Sequence, residues 1–158
     1  MLSIHMSIEN ADPAPPASDP SLATDASALR MATFRLARRL RSQRAVDTMS
    51  DGQFAVLAAL SAHGAHTLGE LADRERVSAP SMNRTVNCLE ESGYLTRTPD
   101  EADRRKVNIA LTDEGRAVVA ETVRRRDSWL EQALADLTPA QRELLHDAAE
   151  LMREVASR

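Results

Sequence analysis

Wound as a helix, residues 78–92 place Ser81, Arg84, Asn87 and Cys88 on one face, with Asn83 and Thr85 towards its edges. Met82, Val86 and Leu89 fall on the other face, spaced four and three apart. That spacing predicts their burial against Leu68, Leu71 and Val77. Short hydrogen-bonding side chains around one central arginine suit the major groove of DNA. An arginine can bond two acceptors on guanine, an asparagine can bond adenine, and a serine can reach phosphate. Ser78 is the expected helix cap, and Ala79 and Pro80 keep the entry to the helix slim. A solvated polar face is the alternative reading.

A second group of basic residues follows. The loop Pro99–Lys106 is long for a simple connection, and Asp103, Arg104, Arg105 and Lys106 cluster on its return side. In the expected arrangement Asp103 pairs with Arg105 and aims its guanidinium into a narrow, electronegative minor groove. The alternative is a charged loop with self-neutralising pairs. Taken together, the two groups make Ser78, Ser81, Asn83, Arg84, Asn87, Asp103, Arg104, Arg105 and Lys106 the expected DNA contacts.

The elements that must position these residues are marked by their ends. Ser50 with Gln53, Thr67 with Glu70, and Thr138 with Gln141 each fit a capping box. Pro139 suits a first helical position, while Gly64 and Gly93 sit where helix C-termini need a positive φ. The patterns predict helices at about 24–45, 51–63, 67–74, 78–92, 112–135 and 139–156. Strands are expected at about 94–98 and 107–111, where Val107, Ile109 and Leu111 alternate with Asn108 and Ala110. Two short helices, a tight turn and a basic hairpin form a winged helix-turn-helix, within a mainly α chain carrying a small β-hairpin wing. Four segments are expected: a disordered Pro-rich tail (1–23), an N-terminal dimerisation helix (24–48), the winged DNA-binding region (49–111) and C-terminal dimerisation helices (112–158).

The charge total of 20 Lys+Arg against 24 Asp+Glu argues weakly against nucleic acid, but the distribution matters more. Arg30 to Arg44 holds six arginines and no acid, whereas 112–158 holds ten acids and seven bases. Local positive surfaces are therefore compatible with an acidic whole. A single cysteine, Cys88, provides no disulfide within the chain, and the short apolar opening MLSIHMSI is neither a secretory signal nor a membrane span. A cytoplasmic location and no membrane partner are expected. No Gly-rich phosphate loop, nucleophile elbow or catalytic Cys/His spacing is present, so an enzyme is not expected, and neither a cofactor nor a metal is assigned.

The runs VSAPSMNRTVNCLEESGYLTR (77–97) and DEADRRKVNIALTDEGR (100–116), with long helices on both sides, resemble the MarR family of winged-helix transcription regulators. The resemblance covers roughly residues 26–156. It implies a homodimer whose first and last helices interlock, two recognition helices on a pseudo-palindrome of double-stranded DNA, and repression relieved by a small ligand. By position, Ser81, Arg84 and Asn87 match recognition-helix contacts, and Asp103 and Arg105 match the wing pair. Cys88 departs from the charged or polar residue many members carry. In the C-terminal helices, Trp129, Leu130, Leu134, Leu137, Leu144, Leu145, Leu151 and Met152 form more apolar surface than a small wing domain needs, which also points to a dimer.

The family's effector pocket, for small aromatic or phenolic anions, lies between the dimerisation helices and the wing domain. Arg38, Arg41, Phe54, Leu57 and His63 fall near that junction, and either arginine could hold a carboxylate. Solvated arginines are the alternative. Three rival readings stay open at this point: redox sensing through Cys88, metal sensing through His63 and His66, and a winged-helix module for protein contacts without DNA readout.

Overall fold

Pro20 opens the first helix, α1 (Pro20–Arg41), four residues ahead of the expected start, because a proline suits the first turn of a helix. The structure, a computed structural model, describes residues 20–100, 103 and 106–158. Most of the expected Pro-rich tail, together with Arg104 and Arg105, lies outside the described residues. The described residues divide into two compact units, one ending at Leu36 and one beginning at Ala37. Within the first, Leu29, Met31, Phe34 and Leu36 are exposed along α1.

The second unit follows in the order α2 (Asp51–His63), β1 (His66–Thr67), α3 (Leu68–Arg74), α4 (Ala79–Glu91), β2 (Leu95–Pro99), β3 (Val107–Leu111), α5 (Asp113–Ala135) and α6 (Pro139–Ala156). The three expected capping boxes form, at Ser50/Gln53, Thr67/Glu70 and Thr138/Gln141. The Thr67 amide and hydroxyl both donate to Glu70 and hold its carboxyl below the usual carboxylate range. Gly64 and Gly93 close α2 and α4 with φ of 81° and 79°.

Two further features differ from the sequence pattern. α1 ends at Arg41 instead of running to about residue 45, because the pair that would continue it is bonded elsewhere: the Arg41 carbonyl accepts from Arg44 Nε at 2.9 Å, and the Ala45 amide donates to the Thr122 hydroxyl. Arg126 Nε donates to the Leu40 carbonyl at 3.2 Å, and Arg125 Nη1 donates to that of Arg44 at 2.7 Å. The second difference is β1, a two-residue strand that no alternation could reveal. It pairs with β3 (His66 opposite Ile109), giving an antiparallel sheet of order β1-β3-β2.

Met49, Val56, Leu57, Leu60, Leu71, Met82, Val86, Leu89, Leu95, Ile109, Leu111 and Val119 make one buried cluster beneath α2, α3, α4 and the hairpin. Leu68 packs at its edge. Val77 does not join it and is 42% exposed. The turn before α4 puts Arg76 at a φ of 53°, which swings the next residue outward.

Thr122 is the one buried polar side chain among the described residues, and its hydroxyl accepts the Ala45 amide at 3.1 Å. Thr122→Val keeps the shape and strands that amide, so it should lower unfolding stability by about 1–2 kcal/mol in urea titration. An unchanged midpoint would mean water replaces the hydroxyl.

Candidate nucleic-acid interface

α4 begins where Ser78 Oγ accepts the Ser81 amide, with Pro80 in the first turn, where no helical amide bond is lost. Its inner face, Met82, Val86 and Leu89, is almost fully buried, so the helix has a fixed roll about its own axis. That roll puts Asn83, Arg84 and Cys88 in solvent and leaves Ser81, Thr85 and Asn87 half-buried. Arg84 makes no hydrogen bond or ion pair with any described residue. It is an arginine held outward with all its donors available.

The two flanks of α4 are tied down. On one side Gln53 completes its capping box by accepting the Ser50 amide and uses its remaining amide to donate to Cys88 Sγ at 3.0 Å. On the other side Arg97, from β2, reaches three groups of α4. Its Nη1 pairs with Glu90 Oε2 at 2.6 Å, and its Nη2 donates to Asn87 Oδ1 at 2.7 Å and Asn83 Oδ1 at 3.3 Å. Leu95 is buried, and Arg97, two residues on, leaves the strand on the same face, towards α4. Sequence reasoning missed both residues. For Arg97 the signal was there: the period-2 alternation places it on the core face of the hairpin, where a charge requires partners.

The wing is organised by Asp100. Its Oδ1 accepts the Asp103 amide at 2.9 Å, its Oδ2 accepts from Asn108 Nδ2 at 2.8 Å, and its own amide donates to the Lys106 carbonyl. Lys106 in turn donates its amide to the Asp103 carbonyl at 2.8 Å, and its side chain is exposed. Asp103 is half-buried at this base. The expected Asp103–Arg105 pair lies outside the described residues, as does Arg104.

The five residues expected around an effector are not brought together. Leu57 is fully buried in the core. Phe54 lies under the Arg126 guanidinium, 4.4 Å from the ring centroid, and burial pulls the Arg126 pKa down. Arg41 faces Asp51 at 3.7 Å, Arg38 is exposed, and His63 stands edge-on to His66 at the far end of α2. The cavity beside Phe54, also lined by Arg44, Met49, Asp51 and Thr122, has a volume of about 10 Å³ and holds one water at most. His66 Nδ1 lies 2.9 Å from the Gly64 carbonyl, and among the described residues no group of three or more His, Cys, Asp or Glu could hold a metal ion. No described helix is long and apolar enough to cross a membrane.

Comparison with known proteins agrees with this architecture. The MarR family profile matches residues 49–107, which run from the end of the α1–α2 connection to the start of β3. An HTH-type transcriptional regulator of Mycobacterium tuberculosis is 38% identical over 135 residues, spanning 85% of this chain and 92% of the relative. Among solved structures, a transcriptional regulator protein from Pseudomonas aeruginosa superimposes with a TM-score of 0.81 at 29% identity, over 89% of this chain and 99% of that one. Bordetella bronchiseptica BpsR, whose DNA binding is regulated by 6-hydroxynicotinic acid, superimposes with a TM-score of 0.61 at 25% identity, over 93% and 99%. The relatives are regulators rather than enzymes. A helix-turn-helix with its outer face kept polar, a hairpin beside it, and similarity that runs almost end to end lead to one conclusion: this chain belongs to the MarR family of DNA-binding transcription regulators.

Proposed function

We propose that the protein is a homodimeric repressor that lays α4 in successive major grooves of a pseudo-palindromic operator and is released by a small aromatic acid or phenol. The observation that carries the DNA reading is Arg84, exposed at the centre of the outward face of α4 with no partner among the described residues. The wing residues Asp103, Arg104, Arg105 and Lys106 then take the adjacent minor groove and backbone, while Ser78 and Ser81 meet phosphates at the helix entry.

Dimerisation is supported by the terminal helices. α6 buries none of its residues, and Leu144, Leu151 and Val155 are 68%, 62% and 59% exposed. An amphipathic helix with a bare apolar stripe needs cover. We assign that cover to the same helices of a second copy, with α1 contributing its own apolar residues. Two-fold symmetry would set the recognition helices on the order of 34–36 Å apart. Release by an aromatic acid is proposed from the likeness to BpsR. Because Arg38, Arg41, Phe54, Leu57 and His63 share no common pocket and the cavity beside Phe54 is only about 10 Å³, the pocket we propose is completed by the partner protomer. Such a ligand must bind the non-DNA-competent arrangement more tightly than the competent one. We place the protein in the cytoplasm, with the DNA it would read.

Two measurements test this reading. Purified protein incubated with genomic fragments should enrich a short inverted repeat. A set with no enriched sequence at low salt would point instead to a winged-helix module for protein contacts. Sedimentation at micromolar concentration should return a dimer mass, and Leu144→Glu with Leu151→Glu should return a monomer. A monomeric wild type would remove the two-headed mechanism.

A further inference from the structure

Arg97 does more than staple the wing to α4. Asn83, Asn87 and Glu90 lie four and three residues apart, so they form one ridge along the flank of the helix. The Arg97 guanidinium, about one-third exposed, lies along that ridge and contacts all three. A guanidinium has donors only, so an amide bonded to it has to offer its oxygen. Both asparagines therefore turn Oδ1 towards Arg97 and their NH₂ groups away from it. Glu90, paired at 2.6 Å, holds the guanidinium in place at the end of the ridge.

This orientation matters for reading bases. An asparagine that recognises adenine uses oxygen and nitrogen together, accepting from N6 and donating to N7 in one plane. With one lone pair of each oxygen already bonded to a cation, that two-point contact has to share its acceptor, whereas the NH₂ donors are unencumbered. We infer that Arg97 is a specificity-positioning residue that converts Asn83 and Asn87 from adenine readers into donors, matched to acceptor-bearing edges such as guanine O6 and N7 or thymine O4. The selected edge is set by a residue on the wing strand, which need not touch a base. The inference rests on the placement of α4 in the major groove.

The experiment is selection from a randomised duplex library by the full-length protein, run in parallel for wild type, Asn83→Ala, Asn87→Ala, Arg97→Met and Arg97→Lys. The two asparagine variants identify the base positions under each side chain. Wild type should favour guanine or thymine there. Arg97→Met frees both amides, so adenine should gain about 10-fold relative to those bases at the same positions, with the rest of the site unchanged. Arg97→Lys keeps the charge and the reach to Glu90 but lacks the two-armed fork. A compact ammonium paired with Glu90 cannot span both asparagines, so adenine should gain at one of the two positions at least, with wild-type salt dependence retained, which also covers the case in which Arg97→Met fails to fold. A uniform loss of affinity in the folded Arg97 variants, with wild-type base preference at every position, would overturn the inference and leave Arg97 a structural clamp. If wild type itself selects no sequence, the groove placement of α4 fails and this inference fails with it.

Discussion

Arg84→Ala combined with Arg105→Ala is expected to lower affinity for the selected operator by at least about 100-fold. A side chain making a two-point contact to a base contributes ~1–3 kcal/mol of discrimination, and a dimer carries each change twice. Arg84 can make such a contact because the burial of Met82, Val86 and Leu89 points it away from the protein and no described neighbour engages its guanidinium. The two arginines should also fail differently. Losing Arg84 should relax preference at one base position in each half-site, whereas losing Arg105 should weaken binding to A·T-rich flanks and flatten the dependence on salt. Fluorescence anisotropy on the operator and on a scrambled duplex, at three salt concentrations, separates these effects. Affinity within threefold of wild type on both duplexes would remove the two residues from the interface.

The second large effect is on folding, and its sign opposes helix propensity. Gly115 lies in the first turn of α5, where alanine normally stabilises a helix by ~1 kcal/mol over glycine. A Cβ at this position would sit 2.2 Å from the Tyr94 carbonyl oxygen, 3.1 Å from its carbon and 3.2 Å from Leu111 Cδ2. That oxygen cannot retreat, because it accepts the Thr112 amide at 3.1 Å, and the Thr112 hydroxyl donates to the Gly93 carbonyl at 2.7 Å. The close approach locks the end of α4 to the start of α5. Gly115→Ala should therefore destabilise by ~3 kcal/mol, at the upper end of overpacking effects, and lower the melting temperature by ~6–12 °C at fixed protomer concentration. A variant as stable as wild type would show that the junction opens without penalty.

Much of the scaffold was legible because its signals are local. Capping boxes at Ser50, Thr67 and Thr138, glycines at 64 and 93, and the 82/86/89 stripe each involve residues within one turn of each other. The corresponding elements α2, α3, α4 and α6 match the expected spans to within a residue. β1 was not legible, since two residues carry no period, and its existence depends on an edge of β3 more than forty residues downstream. The end of α1 was hidden for the same reason: the Thr122 hydroxyl that takes the Ala45 amide lies on α5.

The residue types on the outer face of α4 were settled by the chain itself, because helical periodicity separates Met82, Val86 and Leu89 from Arg84 without reference to anything else. The roles of the individual polar residues were not. Arg84 and Arg97 are alike in composition, and Asn87 in isolation reads as an adenine contact. Only the pairing of β2 with β3, which brings Arg97 alongside Asn83, Asn87 and Glu90, makes one arginine a free donor and the other a fixed one. A side chain's chemistry is written in its type, but whether its hydrogen bonds are already used depends on neighbours supplied by distant parts of the chain.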